Sequence, residues 1–389
     1  METQATTTQV SLAQGIDPAK LERELNAMWA EMSAPTGETE NAAAQQAGVV
    51  RACVLNLVVY AGGPEERAEV DELLGDIVER HPCRAIVLAA DRAAGEPRLE
   101  AFISTRCQLS SRGAKRICGE QITIEAAGSA ADTASTAVAP LLVPDVPVFL
   151  WWKDIPHYED RLFARLAEMA DRVVIDSASF DRPHEDLRRL ARLLEGGGLR
   201  LSDLNWGRLT SWRSLVAGFW DVADYRESLA QVEKVVIGYD PPDRSHEEIA
   251  PKALLALGWI ASCLGWEPSG VAPSFEGGRS TFRLRGGGRD IEALLAATDD
   301  VAGRDGWLTS LTISTASGDE FYVELLYEEH KLRTGARLGG GGHAVGRVLN
   351  YQAHTEGQRL SAELDILSRD EVYERAALFA ARMLAGGAG

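Results

Sequence analysis

Cysteine is scarce in this chain: five in 389 residues, at Cys53, Cys83, Cys107, Cys118 and Cys263. With no C-x-x-C pair and no cluster of histidines beside them, they exclude a disulfide scaffold and a zinc site of familiar spacing. Long apolar runs are missing too. None approaches the roughly 18 residues that cross a bilayer, so no membrane association is expected. The opening METQATTTQVSLAQG has neither a cationic start nor an apolar stretch and is not read as a secretion signal, which leaves a cytoplasmic location as the expectation. Basic residues are outnumbered, 40 Lys and Arg against 58 Asp and Glu, and the resulting net charge of −18 would repel a nucleic acid. Signature motifs are absent as well: no P-loop, no G-x-G-x-x-G between a strand and a helix, no G-x-S-x-G elbow and no S-x-x-K set. Neither a metal nor a cofactor is expected.

What is present is a soluble, globular composition, 45 % hydrophobic and 25 % charged, in a chain long enough for two domains. GIDPAKLERELNAMWAEM opens with Asp17 as a cap and Pro18 in the first turn, and sets Leu21, Leu25, Met28 and Met32 on one helical face. The small, polar segment after it, 33–48, reads as a tether. From residue 49 strands and helices alternate: VVRACVLNLVVY, then PEERAEVDELLGDIVERHP with its apolar residues at helical spacing, then CRAIVLAA, LEAFISTRC and EQITIEAA. This predicts an α/β domain with a mixed sheet over 49–195, closed by the glycine turn EGGGLRLSD. Beyond it, residues 196–389 mix helices (209–221, 245–265 and a closing helix capped by Ser368 or Asp370) with the strands EKVVIGYD, STFRLRG, WLTSLTISTA and EFYVELLYE. An α+β domain is expected there, with the last three strands antiparallel.

Four groups of residues have chemistry to offer. Cys107 and Cys118 flank QLSSRGAKRI, whose Arg112, Lys115 and Arg116 favour thiolate; a hairpin joining the flanking strands would bring the two thiols together as a reversible disulfide. Cys263, inside an apolar helix, reads as packing. Arg337 before four glycines and His343 after them could wrap a phosphate in backbone amides, although a plain surface loop fits the same letters. Glu324, Glu328 and Glu329 could pair as acid and base, or simply end a solvated strand. Nine tryptophans complete the set. Trp151, Trp152, Lys153, Trp206, Trp212 and Arg213 form amphipathic blocks of the kind that anchor protein interfaces, with core packing as the ordinary alternative. In LLVPDVPVFLWWKD, Pro144 and Pro147 delay ladder pairing, so a strand can begin only at Val148.

That stretch, 141–154, together with ADRVVIDSASF, LNWGRLTSWRSLVAGFWD and the closing ELDILSRDEVYERA, resembles the OpcA family, the glucose-6-phosphate dehydrogenase assembly proteins of cyanobacteria and actinobacteria. The resemblance runs from about Val49 to the last helix. It implies a non-catalytic protein that binds glucose-6-phosphate dehydrogenase, acts as its allosteric activator and supports the oxidative pentose phosphate pathway. It also implies a redox link through thioredoxin, for which the Cys107 and Cys118 hairpin is the expected place. The other reading of the residues is an enzyme or sensor of sugar phosphates built on the 337–346 loop.

Overall fold

A computed structural model describes residues 4–10, 16–33, 48–109, 115–243, 247–340, 346–351 and 354–386. The chain forms two compact units, 1–175 with 355–368 and 176–354 with 369–389. Residues 176–195, expected with the first domain, pack with the second unit. The helix Pro183–Glu195 buries Leu187, Leu190 and Leu194 against the closing helix, which assigns it to the second unit, and the glycine turn after it is internal.

The first unit contains β1 (Gln4–Val10), α1 (Pro18–Ser33), β2 (Gly48–Arg51), β3 (Leu55–Ala61), α2 (Pro64–Arg80), β4 (Cys83–Asp91), β5 (Arg98–Leu109), β6 (Lys115–Ala127), β7 (Val148–Trp152), α3 (Arg161–Met169) and β8 (Arg172–Ile175). Its sheet runs β1-β5-β6-β4-β3-β7-β8, with β2 on the side of β6. Strands β6, β4, β3, β7 and β8 are parallel, while β1 and β5 are antiparallel to their neighbours. The sheet is mixed, as read from the sequence. VVRACVLNLVVY is two strands rather than one. The Ala52 amide donates to the Cys118 carbonyl at 3.3 Å and the Val54 amide to Pro82 at 2.8 Å, so the chain changes ladder partner between them.

Helix α1 is capped as expected, Asp17 Oδ1 accepting from the amides of Ala19 at 3.0 Å and Lys20 at 3.3 Å. It is no free appendage: Leu21 and Leu25 are fully buried against the first unit. The tether lies outside the described residues over 34–47. Late in the chain, the helix Glu356–Leu364 returns to the first unit and packs on α2, Gly357 lying close enough to Asp76 that a Cβ there would stand 3.2 Å from the Asp76 Cβ.

The second unit contains α4 (Pro183–Glu195), β9 (Leu201–Asp203), α5 (Thr210–Ala217), β10 (Val232–Tyr239), α6 (Pro251–Cys263), β11 (Glu267–Pro268), β12 (Ser274–Glu276), β13 (Arg279–Gly286), β14 (Arg289–Ala297), β15 (Leu308–Thr315), β16 (Glu320–Leu326), β17 (Lys331–Arg337), β18 (Arg347–Asn350) and the closing helix Glu371–Leu384. Its sheet runs β11-β13-β14-β10-β15-β16-β17-β18, with β12 on β13. Every pairing is antiparallel except β10 with β14. Helix α6 is buried almost all round and meets the closing helix so tightly that a Cβ on Gly258 would come within 2.3 Å of the Ala376 carbonyl oxygen. Asp370 caps the closing helix, its carboxylate accepting from the Tyr373 amide.

Candidate functional site

Strands β5 and β6 set Cys107 directly opposite Cys118, and their sulfurs are joined, with the Cα atoms 4.1 Å apart. Such a close approach belongs to a non-hydrogen-bonded antiparallel pair, where facing side chains lie nearest each other. Arg112 lies outside the described residues. Two positions along β6, Glu120 is 3 % exposed and gathers three partners. One carboxylate oxygen accepts from Trp29 Nε1 at 2.7 Å and pairs with Arg51 at 2.5 Å; the other accepts from Arg84 Nε at 2.8 Å. Arg84, 4 % exposed, also pairs with Glu22 and donates to the Leu141 carbonyl at 2.9 Å. Burial works against the Arg84 charge, but Glu120 and Glu22 outweigh it and raise its pKa. Helix α1 is thereby pinned, through Glu22 and Trp29, to Arg84 on β4 and to Glu120 on β6, the strand that carries Cys118.

The remaining cysteines are poor nucleophiles or lie elsewhere. Burial pushes the Cys83 thiol up to about 12, with Cys53 a smaller contribution, and burial likewise raises Cys53, so neither is a thiolate at neutral pH. Cys263 corrects its expected role as packing: it ends α6 and is exposed.

The tryptophans expected to anchor a partner are inside. Trp151 is 1 % exposed, Trp152 0 %, Trp206 3 % and Trp212 2 %. The reason for the first two is that β7 runs through Trp152 as an inner strand between β3 and β8. As strand neighbours they enter opposite faces, and each face is covered. Trp152 stacks on Tyr60 at 3.9 Å and meets Phe163 edge-on at 5.1 Å. Lys153 lies 4.9 Å over the Trp151 ring and pairs with Glu69 and Glu356. In the second unit Trp206 Nε1 donates to Asp370 at 2.9 Å, and the Arg213 guanidinium lies 3.6 Å over the Trp206 ring. These blocks pack within their own units, where the four tryptophan rings are buried.

Asp203 was not singled out by its sequence context, since nothing in LSDLNW marks it as buried. Fully enclosed, it caps the short helix Leu204–Gly207 by accepting from the Asn205 amide at 2.9 Å, accepts the Ser177 amide at 2.9 Å, and receives the Tyr373 hydroxyl at 3.4 Å. Burial, and secondarily the charge of Asp176, push its pKa up to about 6. An unfolded aspartate titrates near 3.9, so the folded state binds this proton more tightly. The stabilisation is therefore complete below about pH 4 and is lost as pH rises through about 6. At pH 7 the ionised group then costs up to about 3 kcal/mol. Asp203→Asn should flatten the stability profile between pH 4 and 6 relative to the parent, read by denaturant unfolding at each pH. Two parallel profiles would refute the assignment.

The glycine loop offers less than its sequence suggests. Arg337 bonds Glu320 at 3.1 Å across the β16–β17 ladder and lies 4.7 Å over the Tyr322 ring; His343 lies outside the described residues. Glu324 is taken up by Arg333 at 3.0 Å. The first unit does hold the topological feature that binds nucleotides in doubly wound sheets: β3 leads to β4 through α2 on one side and β7 to β8 through α3 on the other, leaving a crevice between β3 and β7. Its phosphate position, the Gly62-Gly63 turn before α2, is filled from within, because the Gly62 amide donates to Glu66 Oε2 at 2.7 Å. A carboxylate stands where an anionic ligand would need a donor. Among the described residues no group of three or more His, Cys, Asp or Glu side chains could hold a metal, and no helix is long and apolar enough to cross a membrane.

Comparison with known proteins adds the following. Residues 75–192 match the family model described as the glucose-6-phosphate dehydrogenase subunit N-terminal domain, OpcA type, and residues 199–377 match the corresponding C-terminal domain. A putative OxPP cycle protein OpcA of Nostoc punctiforme is 37 % identical over 194 residues, covering 50 % of this chain and 40 % of that protein. One from Synechococcus elongatus is 31 % identical over 225 residues, covering 58 % and 46 %. The chain thus spans under half the length of these curated relatives. Among solved structures, a levoglucosan dehydrogenase in complex with NADH has a TM-score of 0.48 at 10 % identity, covering 86 % of this chain and 97 % of that one.

Proposed function

The chain belongs to the OpcA family, and from that premise we propose that it is a non-catalytic assembly factor and activator of glucose-6-phosphate dehydrogenase, tuned by the Cys107–Cys118 pair. The observation that carries the reading is that the two dehydrogenase-subunit models follow one another along most of the chain, one on each side of the expected boundary at 195. The self-filled Gly62 turn supports the non-catalytic half, since a carboxylate on that amide opposes a bound phosphate. Activation of this kind is linkage: the factor lowers the half-saturating substrate concentration by binding the active dehydrogenase conformation better than the inactive one. Nothing in the geometry of Arg337 favours the sugar-phosphate sensor.

Reconstitution tests the proposal. Adding the chain to glucose-6-phosphate dehydrogenase from the same source should give a complex at micromolar concentrations and a severalfold fall in half-saturating glucose 6-phosphate; no complex ends the assembly reading. For the redox half, thioredoxin treatment should change the activation, and Cys107→Ser should behave as the reduced parent under oxidant. A Cys107→Ser protein that still responds to oxidation like the parent removes this pair from the mechanism.

A further inference from the structure

We propose that the Cys107–Cys118 disulfide is the latch of an N-terminal strap: while the bond is intact it holds β1, α1 and β2 on the first unit's sheet, and its reduction frees them. This inference deepens the redox half of the reading above, and rests on that reading for its effect on the dehydrogenase.

The latch is placed by ladder register. Strand β4 pairs with β6 from Glu120 to Ala127, and Gly119 marks where the two close on each other, because a Cβ there would stand 2.8 Å from the Cys83 carbonyl oxygen. Over Lys115–Cys118, β6 has β2 beside it instead, with Arg51 opposite Cys118. On the other side of the hairpin β1 pairs with β5 from Ala101 to Cys107, where Gln4 stands opposite the cysteine. The disulfide thus joins the hairpin at the point where its support passes from the core strand β4 to β1 and β2, the two strands that flank α1 in the chain.

Helix α1 lies across the face that carries the bond. Residues two apart on a strand share a face, so Thr105 goes with Cys107 and Glu120 with Cys118. The helix touches both: Thr105 Oγ1 donates to Met32 Sδ at 3.4 Å, and Glu120 accepts from Trp29 Nε1 at 2.7 Å. Arg51, across the ladder from Cys118, donates to Asn26 at 2.9 Å and lies 5.6 Å from the centre of the Trp29 ring. The second half of α1 therefore rests on residues within two ladder positions of the bond. Breaking the bond returns conformational freedom to the hairpin end, and elements that depend on one another for their contacts open as a unit. Leu21, Leu25, Met28 and Trp29, all buried in the closed strap, turn to solvent when it opens.

Access to the bond is one-sided. Cys118 is fully buried and Cys107 half-buried, so a dithiol reductant reaches the Cys107 sulfur. Its thiolate attacks there, the electron pair of the S–S bond goes to Cys118, which takes up a proton, and the second thiol of the reductant resolves the mixed disulfide and releases Cys107 as a thiol. The pair gains two electrons and two protons, and the reductant leaves as a disulfide.

The test is hydrogen exchange read by mass spectrometry on the full-length chain, oxidised and after reduction with dithiothreitol. Expected is exchange about tenfold faster or more over α1 and β2 on reduction, with α2, β3 and β7 changed by less than about twofold. Cys107→Ser should exchange like the reduced parent with or without reductant. Trp29→Phe removes the bond to Glu120 and leaves the disulfide, so the oxidised variant should exchange faster over α1. It should also move the half-saturating glucose 6-phosphate of the dehydrogenase in the direction in which reduction moves it. Exchange over α1 and β2 that reduction leaves unchanged, or an acceleration spread evenly over the unit, overturns the latch while the assembly and redox readings stand. So does a Trp29→Phe chain with a loosened α1 whose activation of the dehydrogenase equals that of the oxidised parent. A strap that loosens on reduction in a chain that forms no complex with the dehydrogenase supports the latch and ends the assembly reading.

Discussion

Truncating Glu120 to alanine should cost roughly 3 to 5 kcal/mol, the magnitude typical of stranding one member of a buried ion pair. Arg84 would remain 4 % exposed with its carboxylate partner on β6 gone, and the Trp29 indole would lose its acceptor. Glu22 would still pair with Arg84, but it lies on α1, which Trp29 helps to hold in place. The damage should therefore concentrate on α1. Glu120→Gln keeps an acceptor for the indole while giving up the charge, and should cost about 1 to 3 kcal/mol. Urea unfolding followed by circular dichroism gives both numbers, and limited proteolysis after residue 33 shows whether α1 has loosened. A loss under 1 kcal/mol for Glu120→Ala would mean that Glu22 alone satisfies Arg84 and that the β6 carboxylate is incidental. Because Cys118 is two residues from Glu120, repeating the measurement with reductant reads how far the disulfide stiffens this corner.

This corner illustrates what the sequence discloses and what it withholds. The hairpin between LEAFISTRC and EQITIEAA is local, so its pairing and the meeting of Cys107 with Cys118 follow from two short strands and a turn. The ion cluster is not local: Glu22, Arg84 and Glu120 are scattered over about a hundred positions, and only the folded sheet brings them together. The fold class was legible because strand and helix periods alternate cleanly in the first half. Strand β14 was not, since RDIEALLAA is rich in Ala and Leu, good helix formers. Its neighbours β10 and β13 override that preference and bury Ile291, Ala293 and Leu295 on one side in strict alternation. Strand β17, KLRTGAR, was masked by its charge and its glycine, which suit a sheet with one face in water. Which unit residues 176–195 join is withheld for a related reason. A glycine turn marks where the chain bends, whereas the unit to which α4 belongs is decided by where its leucines find cover.

Replacing Trp152 by alanine should destabilise the first unit by about 3 to 5 kcal/mol, the cost of emptying a large aromatic site from a core. Its 0 % exposure, the stack on Tyr60 and the edge contact with Phe163 leave no room for nearby side chains to collapse inward without losing contacts of their own. Trp152→Phe discriminates between the two uses the sequence allowed. Among the described residues the Trp152 Nε1 has no hydrogen-bond partner, so phenylalanine forfeits ring area and no hydrogen bond. It should cost about 1 to 2 kcal/mol and leave a folded protein. If the tryptophan is a core residue, the folded Trp152→Phe chain binds the dehydrogenase within twofold of the parent. Were it an interface anchor, binding would fall by tenfold or more at unchanged stability, the signature of a lost hot spot. Thermal unfolding and calorimetric binding on the same preparation separate the two. The burial of Trp152 sets the expectation: a change in melting temperature, and almost none in affinity.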